Sequence, residues 1–327
     1  MTITKPSPSP PKDSARKRFS FGREIILVGV LIIEIIIFSL LSPYFLNLSN
    51  ILDTSRFFAE SGLVALGMTL IIITGGIDLS VGSLLALISV VVGFSYAGGL
   101  PLPLAILVGI ATGAAGGFFN GYLISHLSLS PLTVTLGTFS AFRGLAYIIS
   151  NAGAVSDFPS WFAYFGQYYV GGYIPLQLII FIVAAVLMVV VLNRSRFGRY
   201  VSGIGTNART SEFSGVPVKR VTTIVYVIAG LLVAIAALIY TSRVSTARGN
   251  AGMGLELQAI AAVVLGGTNI KGGKGSIVGT VLGVLILAFL AQGLTLAGVS
   301  TAIALMIQGV VLIVAILANQ LTNRRRG

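Results

Sequence analysis

Two apolar stretches that meet at a single charged residue constrain this fold most strongly. The stretches run from Leu63 to Thr74 and from Leu79 to Val92, and Asp78 is the only charged residue from Leu63 to Val92. An ionised carboxylate is costly in hydrocarbon, so such a residue faces a protein interior, a water-filled cavity or the membrane boundary. Asp78 is therefore a candidate functional residue, and capping of the helix after it is the simpler alternative.

The composition places the whole chain in a membrane. Of 327 residues, 55% are hydrophobic and only 9% are charged, and the mean hydropathy is +0.98. Such a chain has too few polar side chains to cover a water-facing globule of this size. The absence of cysteine excludes a disulfide framework, a thiolate metal site and a cysteine nucleophile. We expect an all-α polytopic integral membrane protein.

The apolar pattern predicts about ten transmembrane helices, at roughly 20 residues per crossing. We expect one membrane domain over residues 25–320, between a disordered basic tail at 1–24 and a second basic tail at 321–327. The pairs of stretches around Gly75-Gly76 and Gly272-Gly273 can instead be broken or re-entrant helices. The predicted spans are 25–42, 58–74, 79–97, 103–124, 132–150, 175–192, 220–240, 256–269, 276–292 and 299–319.

Lysine and arginine orient these spans, because basic residues favour cytoplasmic loops. If the amino terminus is cytoplasmic, most of the 21 Lys and Arg residues fall inside, in both tails and in segment 193–219. Only Arg56, Arg243 and Arg248 fall outside, and Arg143 lies within a span. Topology thus explains the net charge of +12, and nucleic-acid binding loses its main support.

Glycines recur every four residues in two predicted spans. Such stripes let helix backbones approach closely, so they favour packing faces over a glycine-lined path. The glycines are Gly109, Gly113, Gly117 and Gly121 in one stripe, and Gly275, Gly279 and Gly283 in the other.

Segment 193–219 is the longest polar stretch after the amino-terminal tail. Within it, residues 207–213 are long enough for a short helix, which could dock a soluble partner. Charge alone favours a solvated loop that obeys the positive-inside rule.

The sequence contains no complete catalytic or nucleotide-binding motif. Gly203 to Ala208 has the spacing of a dinucleotide fingerprint but no strand before it, and the phosphate-loop pattern fails because Lys274 is followed by glycine. With one histidine and no cysteine, nothing converges as a nucleophile, base or metal cluster. We expect a chain that is not an enzyme and that binds no metal or cofactor.

Several ordered motifs, spread over roughly residues 45–320, resemble the permease subunits of bacterial ABC importers for ribose, xylose, arabinose, galactose, rhamnose and autoinducer-2. The signature is Gly75 to Ser83. The further matches are Asn120-Gly121, Pro131 to Gly144, Phe197-Gly198-Arg199, Gly205 to Val216 and Leu265 to Ser276.

This resemblance implies the fold of vitamin B12-type importers, with two permease copies, or two paralogues, around a central pathway. It also implies cytoplasmic ABC ATPase subunits that bind ATP and Mg, and a periplasmic or lipid-anchored sugar-binding protein. The implied location is the bacterial inner membrane, with both termini cytoplasmic.

The resemblance also assigns candidate residues. Thr206 departs from the family, which commonly has glycine there, and this leaves the fit to a given ATPase open. The ATPase-coupling residues correspond to Asn207, Ala208, Arg209, Thr210, Ser211, Glu212, Phe213, Ser214 and Gly215. The signature and possible pathway residues are Gly75, Gly76, Asp78, Ser80, Asn120 and Arg143.

The charged residues outside the cytoplasmic loops suggest two further hypotheses. Arg56, Arg243 and Arg248 are candidates for docking acidic residues of the binding protein, with ordinary loop charges as the alternative. Glu34 and Arg143 are isolated within spans and can pair across the bundle.

The predicted function is ATP-driven import of a sugar or sugar-like solute by alternating access. The small and polar lining that a neutral solute needs agrees with the shortage of buried charge. One alternative is a related permease for branched-chain amino acids or nucleosides. An ion-coupled secondary transporter is a weaker alternative, since no inverted repeat is convincing.

Overall fold

The computed structural model describes residues 21–300, 302–304, 306–311 and 313–314, which are mostly α-helical. The predicted tails at 1–24 and 321–327 lie outside these residues, apart from 21–24. Seven helices of the described part are long and apolar enough to cross a membrane. The prediction of an all-α polytopic membrane protein is confirmed.

Helices make up most of the described part, and its strands are very short. In chain order, the helices are α1 (Phe21–Leu41), α2 (Leu48–Ile73), α3 (Val81–Ala97), α4 (Leu102–His126), α5 (Pro131–Ser150), α6 (Tyr164–Gln167), α7 (Leu176–Arg194), α8 (Arg196–Thr206), α9 (Ala208–Phe213), α10 (Val218–Val244), α11 (Leu255–Leu265) and α12 (Ile277–Leu296). The strands have two residues each and are β1 (Ala154–Val155), β2 (Tyr169–Val170), β3 (Ile174–Pro175) and β4 (Ala247–Arg248).

Two apolar helices are shorter than the seven long ones: α3 with 17 residues and α11 with 11 residues. At about 1.5 Å per residue, α11 spans about 17 Å, well short of a hydrocarbon core of about 30 Å. This length agrees with the broken-helix alternative for the pair around Gly272-Gly273. The predicted span 299–319 lies partly outside the described residues, and the number of full crossings stays a prediction.

Helices α2 and α10 form the centre of the bundle. The residues of α2 from Leu63 to Ile73 are all buried, and this helix packs against α7, α10, α11 and α12. In contrast, α1, α5 and α7 expose much of their apolar surface. In a membrane protein such faces meet lipid or another subunit.

The predicted glycine stripes are packing faces. A side-chain carbon added at Gly117 of α4 would overlap the carbonyl oxygen of Tyr226 in α10, and one added at Gly113 would lie 2.6 Å from the carbonyl oxygen of Gly230. A carbon at Gly279 of α12 would likewise overlap the carbonyl oxygen of Gly266 after α11. Only residues without side chains allow these backbones to approach so closely.

The segment between α5 and α7 folds back onto the bundle through small elements. Strand β1 pairs with β4 in antiparallel register, and β2 pairs with β3. A 3-10 turn at Ser160–Ala163 leads into α6, which packs on α10. The sequence did not predict these short elements, because two-residue strands leave no periodic pattern.

The predicted pairing of Glu34 with Arg143 is wrong. Arg143 donates to the carbonyl oxygens of Gly249 and Ala251, both at 2.8 Å. Glu34 is buried on α1, and its Oε2 has no hydrogen-bond partner among the described residues. The sequence showed only that Arg143 has no charged neighbour within its span. It could not show that backbone carbonyl oxygens accept the hydrogen bonds of its guanidinium.

Substituting a glycine at the α4–α10 contact should loosen the bundle. We expect Gly117→Ala to lower the free energy of unfolding by about 1–3 kcal/mol, because the added methyl group meets backbone and not a movable side chain. Thermal unfolding of the detergent-solubilised protein measures this effect. Gly137→Ala is the control, since nothing lies within 4 Å of the added carbon there, and equal melting temperatures for the two variants would contradict the packing argument.

Candidate functional site

The break between α2 and α3 is held by the carboxylate of Asp78. Its Oδ1 accepts hydrogen bonds from the backbone nitrogen of Ser80 at 2.8 Å and from the Ser80 hydroxyl at 2.6 Å. Ser80 is the residue immediately before α3, and both side chains are buried. Asp78 thus orders the turn before α3, in which Ser80 and not Asp78 occupies the N-cap position.

Neighbouring helices complete a buried polar cluster at this break. The Asn120 amide of α4 donates to the Ser80 hydroxyl at 2.9 Å, and the Thr135 hydroxyl of α5 donates to the carbonyl oxygen of Ile77 at 3.0 Å. The Tyr226 hydroxyl of α10 lies so close to Gly76 that a side-chain carbon there would be 2.7 Å away. We call Asp78, Ser80, Asn120, Thr135 and Tyr226 the break cluster.

Some polar atoms around the break have no protein partner. Three buried atoms without a hydrogen bond to any described residue are Ser83 Oγ, Asn120 Oδ1 and Tyr226 Oη. A buried polar atom without a partner costs about 1–3 kcal/mol, so such atoms concentrate where water or a ligand visits or where the chain moves. The break is therefore one part of the core where rearrangement costs less than in a fully satisfied interior.

The structure brings together most of the predicted signature residues but not all of them. Gly75, Gly76, Asp78, Ser80 and Asn120 lie at the break. Arg143 lies elsewhere, near the carboxyl end of α5, where it binds the loop after β4.

Two helices occupy the predicted cytoplasmic segment. The predicted short helix is confirmed as α9, and Asn207 caps it by accepting from the backbone nitrogen of Thr210 at 3.0 Å. The preceding helix, α8, was missed because its basic, glycine-containing sequence is typical of a loop. Phe213 at the end of α9 is 92% exposed. No described residue covers this aromatic side chain, so it is available for contact with another molecule.

A backbone joint connects α8 to the break. The amide of Gly273 donates to the carbonyl oxygen of Ile73, the last residue of α2, at 2.8 Å. Gly205 of α8 lies against the same two residues, and an added side-chain carbon would overlap both. We call Gly205, Ile73 and Gly273 the glycine joint. Gly205 of α8 therefore contacts the carboxyl end of α2 and the α11–α12 loop directly.

The three predicted docking arginines lie in different environments. Arg243 forms an ion pair with Glu60 at 2.7 Å and is only 17% exposed. Arg56 donates to the Tyr169 hydroxyl at 2.8 Å, and Tyr169 in turn donates to Asp53. The third arginine, Arg248, is exposed, and its side chain makes no hydrogen bond to any described residue.

The tyrosine between Arg56 and Asp53 has an altered acidity. Burial and the hydrogen bond to Asp53 raise the pKa of Tyr169 above its ordinary value, while Arg56 lowers it. The hydroxyl therefore stays protonated and continues to donate to Asp53 at neutral pH. Within the described ranges, no three acidic or histidine side chains come close enough together to hold a metal ion.

This architecture defines a class: a multi-pass membrane protein with a buried polar break between α2 and α3 and an exposed short helix, α9. Comparison with known proteins gives the family. Residues 50–316 match the family described as branched-chain amino acid transport system / permease component, and the chain belongs to it. It is a permease subunit of an ABC importer, and not an enzyme.

Its relatives include permeases for different solutes. The ribose import permease protein of Bacillus subtilis (strain 168) is 43% identical over 292 residues, which cover 89% of this chain and 90% of the relative. The autoinducer 2 import system permease protein of Escherichia coli (strain K12) is 38% identical over 315 residues, covering 94% and 95%. No solved structure gives a significant match, so the vitamin B12-type fold stays a prediction.

A pair of variants separates the hydrogen-bonding role of Asp78 from its charge. We expect Asp78→Ala to cost about 1–3 kcal/mol of stability, because the buried amide and hydroxyl of Ser80 lose their acceptor. Asp78→Asn retains an acceptor oxygen and should unfold close to the wild-type temperature. Thermal unfolding in detergent measures the stability of both variants. An asparagine variant as unstable as the alanine variant would show that the charge of residue 78 matters more than its acceptor oxygen.

Proposed function

We propose that this chain forms the membrane pathway of an ATP-driven importer for a sugar or sugar-like solute. The observation that carries the proposal is the match along about nine-tenths of the chain to relatives named for ribose and autoinducer 2 import. A polar break cluster is compatible with a neutral, hydroxyl-rich solute. Transport proceeds by alternating access between the two sides of the membrane.

The proposed assembly follows from the class of protein. Importer permeases of this class work with ATPase and substrate-binding partners. We propose two permease subunits, identical or paralogous, cytoplasmic ATPases that hold ATP and Mg, and a periplasmic or lipid-anchored sugar-binding protein. The proposed location is the bacterial inner membrane, with both termini in the cytoplasm. The distribution of Lys and Arg supports this orientation.

Residues 207–215 form the proposed contact with the ATPase. Helix α9 is short and projects its aromatic end into solvent, with Arg209, Thr210 and Phe213 all exposed. Exposed aromatic and arginine side chains are the usual anchors of protein interfaces.

The glycine joint is the proposed route from this contact into the membrane. Because packed backbones deform little, displacement of α8 moves the end of α2 and the break beside it. Closure of the ATPases would then reshape the break cluster.

On the outer side, Arg248 is the proposed docking cation for the binding protein. Arg56 and Arg243 are part of the same proposed surface, but both are engaged within the chain by Tyr169 and Glu60. An arginine with a free guanidinium is better placed to orient an acidic partner.

The decisive experiment is reconstitution with the partner subunits. Vesicles that contain the permease and its ATPase should show a rise in ATP turnover when the binding protein and D-ribose are added together. Uphill uptake by the permease alone would contradict the proposal. The family description favours one second candidate, a branched-chain amino acid, so L-leucine is tested in the same assay.

The exposed aromatic of α9 should be required for ATPase binding. We expect Phe213→Ala to weaken the complex by about 2 kcal/mol, because central aromatic anchors contribute that much or more. Co-purification with the ATPase and binding-protein-stimulated ATP turnover measure the loss. The control is Tyr173→Ala. Tyr173 is a 75% exposed aromatic residue between β2 and β3, which lies outside the segment proposed to bind the ATPase. Equal retention of the ATPase by both variants would argue against an α9 contact.

The glycine joint should be required for coupling ATP hydrolysis to transport, but not for binding of the ATPase to the permease. We expect Gly205→Ala to retain the ATPase but to lose most transport per ATP hydrolysed, because the added methyl group separates α8 from α2. Gly203→Ala is the matched control on the same helix, since its carbon meets only the Ser211 hydroxyl at 3.3 Å. The ratio of sugar imported to ATP consumed is measured in vesicles. An unchanged ratio in Gly205→Ala would exclude the joint as the coupling route.

A further inference from the structure

A cavity separate from the break lies between the end of α5 and the loop after β4. It has a volume of about 310 Å³, and Tyr147, Ala152, Arg248 and Asn250 are among the residues that line it. Small-molecule sites begin at about 300 Å³, so this cavity has room for a single small ligand. On the predicted topology it opens on the outer side.

The walls of this cavity are held in place by independent contacts. Arg143 reaches from within α5 to the carbonyl oxygens of Gly249 and Ala251, and such charge-assisted bonds are among the strongest in proteins. The Tyr147 ring packs so tightly on Gly249 that an added side-chain carbon would lie 2.7 Å from it. The cavity is therefore largely pre-formed.

The backbone beside the cavity is strained. Asn151 and Ala152 have positive φ angles of 45° and 56°. Asparagine is common in this conformation at the end of a helix, but alanine is not. Ala152 is retained there by the bond from its amide to the carbonyl oxygen of Tyr147, at 3.2 Å, and by the β1–β4 pairing just beyond it. Strain of this kind accompanies functional sites more often than plain surface loops.

The lining has the chemistry of a sugar site. Tyr147 is 41% exposed and offers an aromatic ring, while Arg248 and Asn250 offer several donors and one amide acceptor. Polyhydroxylated rings present an apolar face beside hydroxyl groups, and the cavity presents the complementary pair. A larger neighbouring cavity of about 620 Å³ also offers an aromatic ring and polar groups, from Tyr96, Ser156 and Asp157, but its lining does not include the loop 249–251 that Arg143 holds in place.

We propose that the cavity lined by Tyr147, Arg248 and Asn250 is an outer binding site for the neutral sugar, occupied between release from the binding protein and entry into the pathway. The inference rests on the proposed function. It adds a site that the break cluster does not supply, and it gives Arg143 the role of a positioning residue that holds the loop 249–251.

The test is direct binding without the binding protein and without ATP. The permease–ATPase complex in lipid nanodiscs is titrated with D-ribose, D-xylose, D-galactose and L-leucine, and saturation-transfer NMR measures contact and affinity. We expect transfer to at least one sugar and none to L-leucine. Tyr147→Ala and Asn250→Ala should each weaken sugar binding roughly tenfold, the loss of one well-formed contact.

Matched controls separate this site from folding and from the proposed function. Tyr164→Ala removes an exposed tyrosine from α6, in the segment between α5 and α7, and should leave sugar binding unchanged because Tyr164 does not line the cavity. Basal ATP turnover reports that each variant is assembled. Sugar-stimulated turnover with the binding protein tests the proposed function independently.

Three results would overturn the proposed site. The first is unchanged sugar affinity in both Tyr147→Ala and Asn250→Ala. The second is no transfer to any sugar from a complex that still responds to the loaded binding protein. The third is unchanged sugar affinity in an Arg248→Ala variant, because this residue lines the cavity; loss of binding-protein capture in the same variant is the result expected from its proposed docking role.

Discussion

The structure depends on satisfying backbone groups where a membrane helix is interrupted. In hydrocarbon, the amide and carbonyl groups freed by such a break have no water to bind, so irregular backbone is tolerated only inside protein. In this chain the carboxylate of Asp78 accepts hydrogen bonds from the backbone amide and the hydroxyl of Ser80, and the Thr135 hydroxyl donates to the carbonyl oxygen of Ile77. The buried carboxylate that marks the sequence as unusual is thus first a structural device. It also leaves a buried polar centre inside the bundle.

Sequence reasoning succeeded where a property is local. Hydropathy located an apolar helix at each of the first nine predicted positions, and the tenth, 299–319, lies partly outside the described residues. The four-residue spacing of Gly113 and Gly117 predicted a close helix contact. It failed where a partner is distant. Nothing in the sequence tied Glu60 to Arg243, 183 residues later, or Arg143 to backbone carbonyls more than 100 residues away. Ion pairing inside a bundle depends on which faces meet, and periodicity does not reveal that.

The same distinction applies to the candidate sites. The sequence pointed to Asp78 as a residue that orders the chain before the following helix, because the two are neighbours in sequence. It did not predict the joint at Gly205, because the backbone that requires a glycine there lies on α2 and after α11. Glycines at such contacts look arbitrary until the opposing backbone is known. A close contact between two backbones is recorded in the sequence only as a glycine, a residue without a side chain.

These contacts give the chain a mechanical order. The exposed end of α9 has little packing of its own, Gly205 of α8 meets the end of α2 at backbone distance, and among the described residues the break cluster retains buried polar atoms without a hydrogen-bond partner. Close-packed elements move as units, whereas unsatisfied polar groups lower the cost of rearrangement at their own location. If the ATPase acts on α9 as proposed, its force meets close-packed contacts before it reaches the break. A close-packed connection that ends at a less satisfied polar centre is what the proposed coupling requires.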